Sequence, residues 1–351
     1  MSQYYNQEVN PRNPEQPTVN QITTAIATVY VPNQDSGTVS VVNIFPNGTT
    51  QKITDIQVGG QPFAAELSVD KQSVYVTVNH RDLNDSGTLA VIDTANNTVV
   101  NTIDLNIGLF SSRMPEGLKA TPDGSYIYVA NFGSNNISIV DIDKQQVVND
   151  PSLGITEVGA HIDFTPDATQ AYVTSPATDE VVIVNLTVNL PVKILDAPGS
   201  PQRIFISQDP NEPIALVASP KTGALIPFDT KLGETDTFLI STTGKKPTGV
   251  VIVYLTDPDR GLITTAYVTN KGSNNVTAID LFLNPEFVPS APNPIKVGSE
   301  PQGIAATKNG NFIVVANSGS GTISVIDTTI NRVTSTVRVG NTPLWLTILD
   351  K

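Results

Sequence analysis

From about Ala25 onward the chain is built of short apolar runs, alternating with polar residues and cut at regular places by turn formers. The stretch around Pro115 shows the pattern whole. Pro115-Glu116-Gly117-Leu118-Lys119-Ala120-Thr121 reads as an opening strand, Pro122-Asp123-Gly124 as a turn, and Tyr128-Val129-Ala130-Asn131 as a second strand. A Gly/Ser/Asn turn (Gly133 to Asn136) leads to the strand Ile137-Ser138-Ile139-Val140-Asp141, and a last strand follows near Val147. Four short strands with turn residues at every junction predict one antiparallel meander. The turns have a mechanism: Pro presets φ, Asp and Asn cap, and Gly accepts positive φ.

The unit recurs. YVPN at Tyr30, YVAN at Tyr128, YVTS at Tyr172 and YVTN at Tyr267 are joined by weaker copies, YVTVN from Tyr75, LVAS from Leu216 and VVAN from Val314. Successive copies start 45, 53, 44, 44, 51 and 47 residues apart. A repeat of about 47 residues carrying four strands predicts a β-propeller, here an all-β ring of seven four-stranded antiparallel blades. These residues resemble the YVTN-family β-propeller repeat, related more distantly to lactonase-like propellers. The likeness covers roughly residues 25 to 350. It implies the propeller fold and a surface-associated role in a bacterium or archaeon. Fold alone does not fix activity.

The ends predict how the ring closes. The first YVPN has no opening strand before it, whereas Pro343-Leu344-Trp345-Leu346-Thr347-Ile348-Leu349 is an opening strand with no blade after it. Pro343 to Leu349 is therefore expected as the innermost strand of the blade whose other strands come from Ala25 to about Val58. That arrangement leaves no open sheet edge at the first blade. The domain division is a flexible polar tail over residues 1–21 and a single propeller over 22–351.

Composition narrows the chemistry. Among 351 residues there is no cysteine, so disulfides, thiolate metal sites, a Cys nucleophile and attached c-type haem are excluded. The net charge of -13 disfavours nucleic acid and anionic membrane surfaces as partners. No apolar run is long enough for a transmembrane helix, and Met1 to Gln21 has no apolar core of a secretory signal. The tail, with three prolines, is a candidate for docking a partner or neighbouring subunit. The compartment expected from the resemblance is extracellular or cell-surface, with cytoplasmic as the alternative.

Catalytic and cofactor motifs are missing. There is no G-x-G-x-x-G, P-loop, H-E-x-x-H, G-x-S-x-G or EF-hand loop, and His80 and His161 are the only histidines. No metal and no cofactor are expected. Asp82-Leu83-Asn84-Asp85-Ser86-Gly87 looks like a calcium loop but aligns with Asn33-Gln34-Asp35-Ser36-Gly37 as an extended turn. Asp93, Asp141, Asp280 and Asp327 recur after an apolar strand in the same register, which predicts turn capping rather than a carboxylate array. The N-x-S/T triplets, such as Asn47-Gly48-Thr49 and Asn136-Ile137-Ser138, follow from turns that end in Asn and strands that start in Thr. Two long connections break the repeat: one carries Leu109, Phe110 and Arg113, the other Phe282, Phe287 and Val288.

Register then predicts two constellations. Aligning the opening strands puts Glu66, Lys119 and Asp163 at one position in three consecutive blades, hence a charge cluster. The opening turns and the loops after the second strands share one face of a propeller. That face collects Arg113, Glu116, His161, Gln202, Arg203, Lys246, Glu300 and Trp345, with His80, Arg81 and Phe132. Cations gathered on an acidic protein focus anionic ligands, and Trp345 is placed to stack on one or to pack between blades. The opposite face, with turns such as Pro122-Asp123-Gly124 and Pro166-Asp167-Ala168, is read as chain reversal only. The function expected first is a non-enzymatic binding scaffold for a protein or small anionic ligand. The alternative is a lactonase- or lyase-like enzyme, which requires titratable residues converging on the central funnel.

Overall fold

The computed structural model describes residues 24–80, 87–106, 114–134, 136–149, 159–209, 213–235, 239–242, 244–257, 261–281 and 293–351. The tail at 1–21, Arg81, most of the Asp82–Gly87 turn, Arg113 with Leu109 and Phe110, and the Phe282–Val288 stretch lie outside the described residues. The rest forms seven antiparallel sheets in a ring, with no helix among the described residues.

Blade one holds β1 (Ala27–Asn33), β2 (Thr38–Ile44) and β3 (Thr50–Gln57). Blade two is β4 (Gln61–Leu67), β5 (Ser73–Asn79), β6 (Thr88–Asp93) and β7 (Thr98–Asp104). Blade three is β8 (Pro115–Ala120), β9 (Tyr126–Asn131), β10 (Asn136–Asp141) and β11 (Gln146–Asn149). Blade four is β12 (Ile162–Phe164), β13 (Gln170–Ser175), β14 (Glu180–Asn185) and β15 (Leu190–Asp196). Blade five has β16 (Ile204–Ile206), β17 (Ile214–Ser219) and β18 (Ala224–Asp229), whose outer edge pairs two short pieces, β19 (Glu234–Thr235) and β20 (Ile240–Ser241). Blade six is β21 (Pro247–Asp257), β22 (Gly261–Asn270), β23 (Asn275–Asp280) and β24 (Ile295–Lys296). Blade seven is β25 (Pro301–Ala306), β26 (Phe312–Asn317), β27 (Thr322–Asp327) and β28 (Arg332–Arg338). The last strand, β29 (Thr347–Asp350), pairs β1 from Thr347↔Tyr30 to Asp350↔Ala27, and so closes the ring in blade one as the sequence predicts.

The repeated tetrapeptide explains itself in the structure. Its valine and alternate neighbours fill seven hydrophobic clusters, one at each junction between adjacent blades. Each fully buried Val or Ile there contributes about 1.5–3 kcal/mol. Its tyrosine reaches the next blade: Tyr30, Tyr128 and Tyr267 donate their hydroxyls, at 2.7 Å, to the side chains of Asn97, Asn189 and Asn331. Burial pushes Tyr30, Tyr128 and Tyr172 up to about 12, so this latch stays protonated at any ordinary pH. Its threonine stitches inner strands. Thr269 Oγ1 accepts from the Gly249 amide at 2.8 Å and donates to the Gln302 carbonyl of the next blade at 2.8 Å.

The asparagine is a lock. Asn33 Nδ2 donates to Thr38 and Ser40, and Asn317 Nδ2 donates to Thr322 and Ser324, at 2.9–3.1 Å. Asn131 and Asn270 repeat the geometry on Asn136 with Ser138 and Asn275 with Thr277. A buried amide carrying two bonds to the third strand pins the second turn of the blade. The recurring aspartates cap turns: Asp93 accepts from the Asn96 amide, Asp141 from Lys144 and Asp327 from Thr329. In the Pro-Asp-Gly turn of blade three and the Pro-Asp-Ala turn of blade four, Asp123 and Asp167 accept from Thr121 and Thr165 hydroxyls and from amides two residues on. These bonds hold both carboxyls below their usual range.

Candidate functional site

Each blade contributes one opening strand to the propeller axis, and its third residue counted from the opening turn falls on a shared level. Around the ring that residue is Ala64, Gly117, His161, Arg203, Gly249, Gly303 and Trp345. At the glycines there is no room for more. A Cβ on Gly117 would stand 2.6 Å from the Ala160 carbonyl oxygen of the next blade, and one on Gly303 would land on the Leu344 carbonyl oxygen. The three large side chains from blades four, five and one use the space that the small residues leave. Trp345 and His161, three blades apart, meet across the axis with ring centroids 4.3 Å apart in an edge-to-face contact. The Arg203 guanidinium lies 5.6 Å from the Trp345 ring centroid, and its Nη1 is 3.3 Å from His161 Nδ1.

The protonation of this group follows from the contact. Arginine can only donate, so His161 Nδ1 is the acceptor and the ring hydrogen sits on Nε2. Burial, with Arg203 beside it, holds His161 well below its ordinary value, so the ring stays neutral. His161 is 1% exposed and Trp345 4%, whereas Arg203 and Glu116 are half-buried. Among the described residues, His161 Nε2 and Arg203 Nε are buried without a hydrogen-bond partner. Next to His161 packs Gly117, whose amide donates to the Ala160 carbonyl at 2.8 Å. Glu116 precedes it, with its backbone carbonyl held by the Thr77 hydroxyl at 2.9 Å. Desolvation pushes the Glu116 carboxyl up to about 8.

Two residues further along the opening strands stands the predicted charge cluster. Lys119 Nζ is 3.3 Å from Glu66 Oε1 and 3.6 Å from Asp163 Oδ1. Glu66 first, then Asp163, hold Lys119 above its usual range. Asp163 is buried and also accepts the Ile206 amide at 2.9 Å, which ties blade four to blade five.

Of the residues expected on the ligand face, the structure brings together His161, Arg203 and Trp345, while Glu116 is next in the chain to Gly117, which packs on His161. Trp345 finds its ring partners in His161 and Arg203. Lys246 is exposed at the rim of blade six and Phe132 at that of blade three, while His80 Nε2 lies 3.2 Å from Thr88 Oγ1 on blade two. Gln202 is half-buried, and Glu300 is exposed and paired with Lys271 at 3.5 Å. Arg81 and Arg113 lie outside the described residues. Phe63, half-buried with its ring 6.4 Å from His161, joins the axial group and was not anticipated, because the alignment showed it only as one more strand residue. The opposite face carries more than turns. A groove of about 540 Å³ opens between blades three and four beside Tyr126, Pro122 and Asp167, and one of about 300 Å³ between blades four and five. Their openings depend on blade spacing, which no single repeat encodes.

The chain belongs to the YNCE-like β-propeller family, whose model matches residues 9–351. No curated protein matches it in sequence. Among solved structures it is similar to a candidate 6-phosphogluconolactonase of Bacteroides fragilis, at 15% identity and a TM-score of 0.72 over 93% of this chain and 99% of that one. It is similar also to the periplasmic gluconolactonase of Pseudomonas aeruginosa, at 16% identity and a TM-score of 0.69 over 92% and 99%. Hydrazine synthase of Kuenenia stuttgartiensis matches at 14% identity and a TM-score of 0.60 over 83% and 95%. Likeness at this identity shows the fold.

Proposed function

We propose that the protein hydrolyses a small cyclic ester at the axis of the ring. The observation that carries the reading is the Arg203–His161 contact at the axis, together with Glu116, whose carboxyl desolvation pushes up to about 8 and which is next in the chain to the axial Gly117 that packs on His161. The gathering of His161 and Arg203 at the axis supports an enzyme over a scaffold. Similarity in fold to two proteins named for lactones supports the reading without carrying it.

The reaction balances with water as the second reactant. Glu116 as carboxylate takes a proton from water while the water oxygen bonds to the ester carbonyl carbon. Negative charge growing on the carbonyl oxygen is met by Arg203, which neutral His161 and the Trp345 face hold in place. The ring C–O bond then breaks, and the leaving alkoxide takes the proton back from Glu116, giving an open-chain hydroxy acid. Hydrolysis of glucono-δ-lactone, corrected for its spontaneous opening, should rise with pH and level off above about 8. Glu116→Gln should remove that rise, and Arg203→Met should lower kcat with little change in melting temperature. A wild-type protein that opens the lactone no faster than buffer, or a Glu116→Gln variant with an unchanged pH profile, overturns the reading.

A further inference from the structure

The rim of blade six carries a knot of lysines that the axial reaction does not use. Lys245 and Lys246 form the turn before Pro247, and both are exposed. The turn after β22 is bound onto them: the Lys271 amide donates to the Lys246 carbonyl at 2.9 Å and the Gly272 amide to the Lys245 carbonyl at 2.8 Å. The Lys245 amide in turn donates to Ser273 Oγ at 2.7 Å. Lys246 holds φ at 53°, a left-handed conformation that costs a non-glycine residue stability, in the residue just before a proline. Three lysines thus stand on two interlocked turns of a chain whose net charge is -13. Among the described residues, the one carboxylate paired with them is Glu300, 3.5 Å from Lys271.

The knot adjoins the axis. Lys246 is two residues from Thr248, whose carbonyl accepts the Arg203 amide at 3.3 Å. At about 3.8 Å per residue, the Lys246 backbone lies within about 8 Å of the Thr248 backbone that pairs with the Arg203 strand.

We propose that Lys245, Lys246 and Lys271 form a subsite for a phosphoryl group on the ligand bound at the axis. Three ammonium charges against one carboxylate leave two uncompensated positive charges. A phosphate monoester, at about -1.5 to -2 near neutral pH, matches that balance, whereas a carboxylate supplies half of it. Ser273 Oγ accepts from Lys245 and keeps its own hydrogen to donate to an anion. This deepens the hydrolase reading and rests on it for the identity of the rest of the ligand, but the anion site is tested by itself.

The test is titration calorimetry of the full chain with inorganic phosphate and, separately, with acetate. Wild type should bind phosphate saturably and more tightly than acetate. The Lys245→Gln/Lys271→Gln double variant should weaken phosphate by about tenfold or more. Lys231→Gln, an exposed lysine on the opposite face, should leave it unchanged. Equal affinity in the double variant, or acetate bound as tightly as phosphate, overturns the subsite. Hydrolysis of glucono-δ-lactone, which has no phosphoryl group, should survive in the double variant; its loss there would also overturn the assignment. A wild-type protein that binds phosphate through these lysines yet opens no lactone refutes the hydrolase reading and leaves the subsite standing.

Discussion

Blades three, six and seven differ from blades four and five at two places that matter most. In the first group the axial residue is glycine (Gly117, Gly249, Gly303) and the second strand ends in the asparagine lock (Asn131, Asn270, Asn317). In the second group the axial residues are His161 and Arg203, and the lock is replaced by Ser175 and Ser219. Ser219 turns its hydroxyl to the Pro198 carbonyl at 2.6 Å instead of spanning the hairpin. The repeat is thus strictest where the axial position is only packed against a neighbour. It loosens in the two blades whose axial residues are large and polar, which is where polar burial is expected to collect.

The sharpest way to break this comparison is to add bulk at a strict blade. Gly303→Ala pushes a methyl onto the Leu344 carbonyl of the closing strand and should cost about 3 kcal/mol or more in denaturant unfolding. A variant as stable as wild type would mean that the axial glycines are not required by space. Next in size is the lock. Asn317→Ala removes the buried amide that bonds Thr322, Ser324 and the Gly298 amide, and should cost about 2–3 kcal/mol, against about 1 kcal/mol for Ser175→Ala. Equal losses would show the lock to be no stronger in the strict blades. Smallest is a repair. Ala168 in blade four holds φ at 54° where blade three has Gly124 at 74°. Ala168→Gly should raise stability by about 0.5–1 kcal/mol, and a lower melting temperature would refute the strain.

Much of this was legible in the chain. Copies of one tetrapeptide at a regular interval dictate seven blades, and an unmatched opening strand at Pro343 dictates how the ring is sealed. The Glu66–Lys119–Asp163 cluster was legible because it needs only alignment of consecutive strands. The axial trio was harder. His161 sits in an opening turn that lacks the proline of the others. Its contact with Trp345 joins blades that are distant in sequence and opposite in space, so alignment shows the two residues on one level but not touching. The raised carboxyl of Glu116 was out of reach for a related reason: desolvation depends on everything that closes over a group.

The closing strand has a kinetic consequence. Blades two to seven can each pair their own strands as soon as these exist, but β29 joins β1 only across nearly the whole chain, the strand pairing most distant in sequence among the described residues. Trp345, the sole tryptophan, leads into that strand and reaches its His161 and Arg203 partners only when the ring is shut. Its intrinsic fluorescence is therefore a single-site clock for the last step of folding. In refolding it should change after the circular-dichroism signal of the individual sheets has already developed.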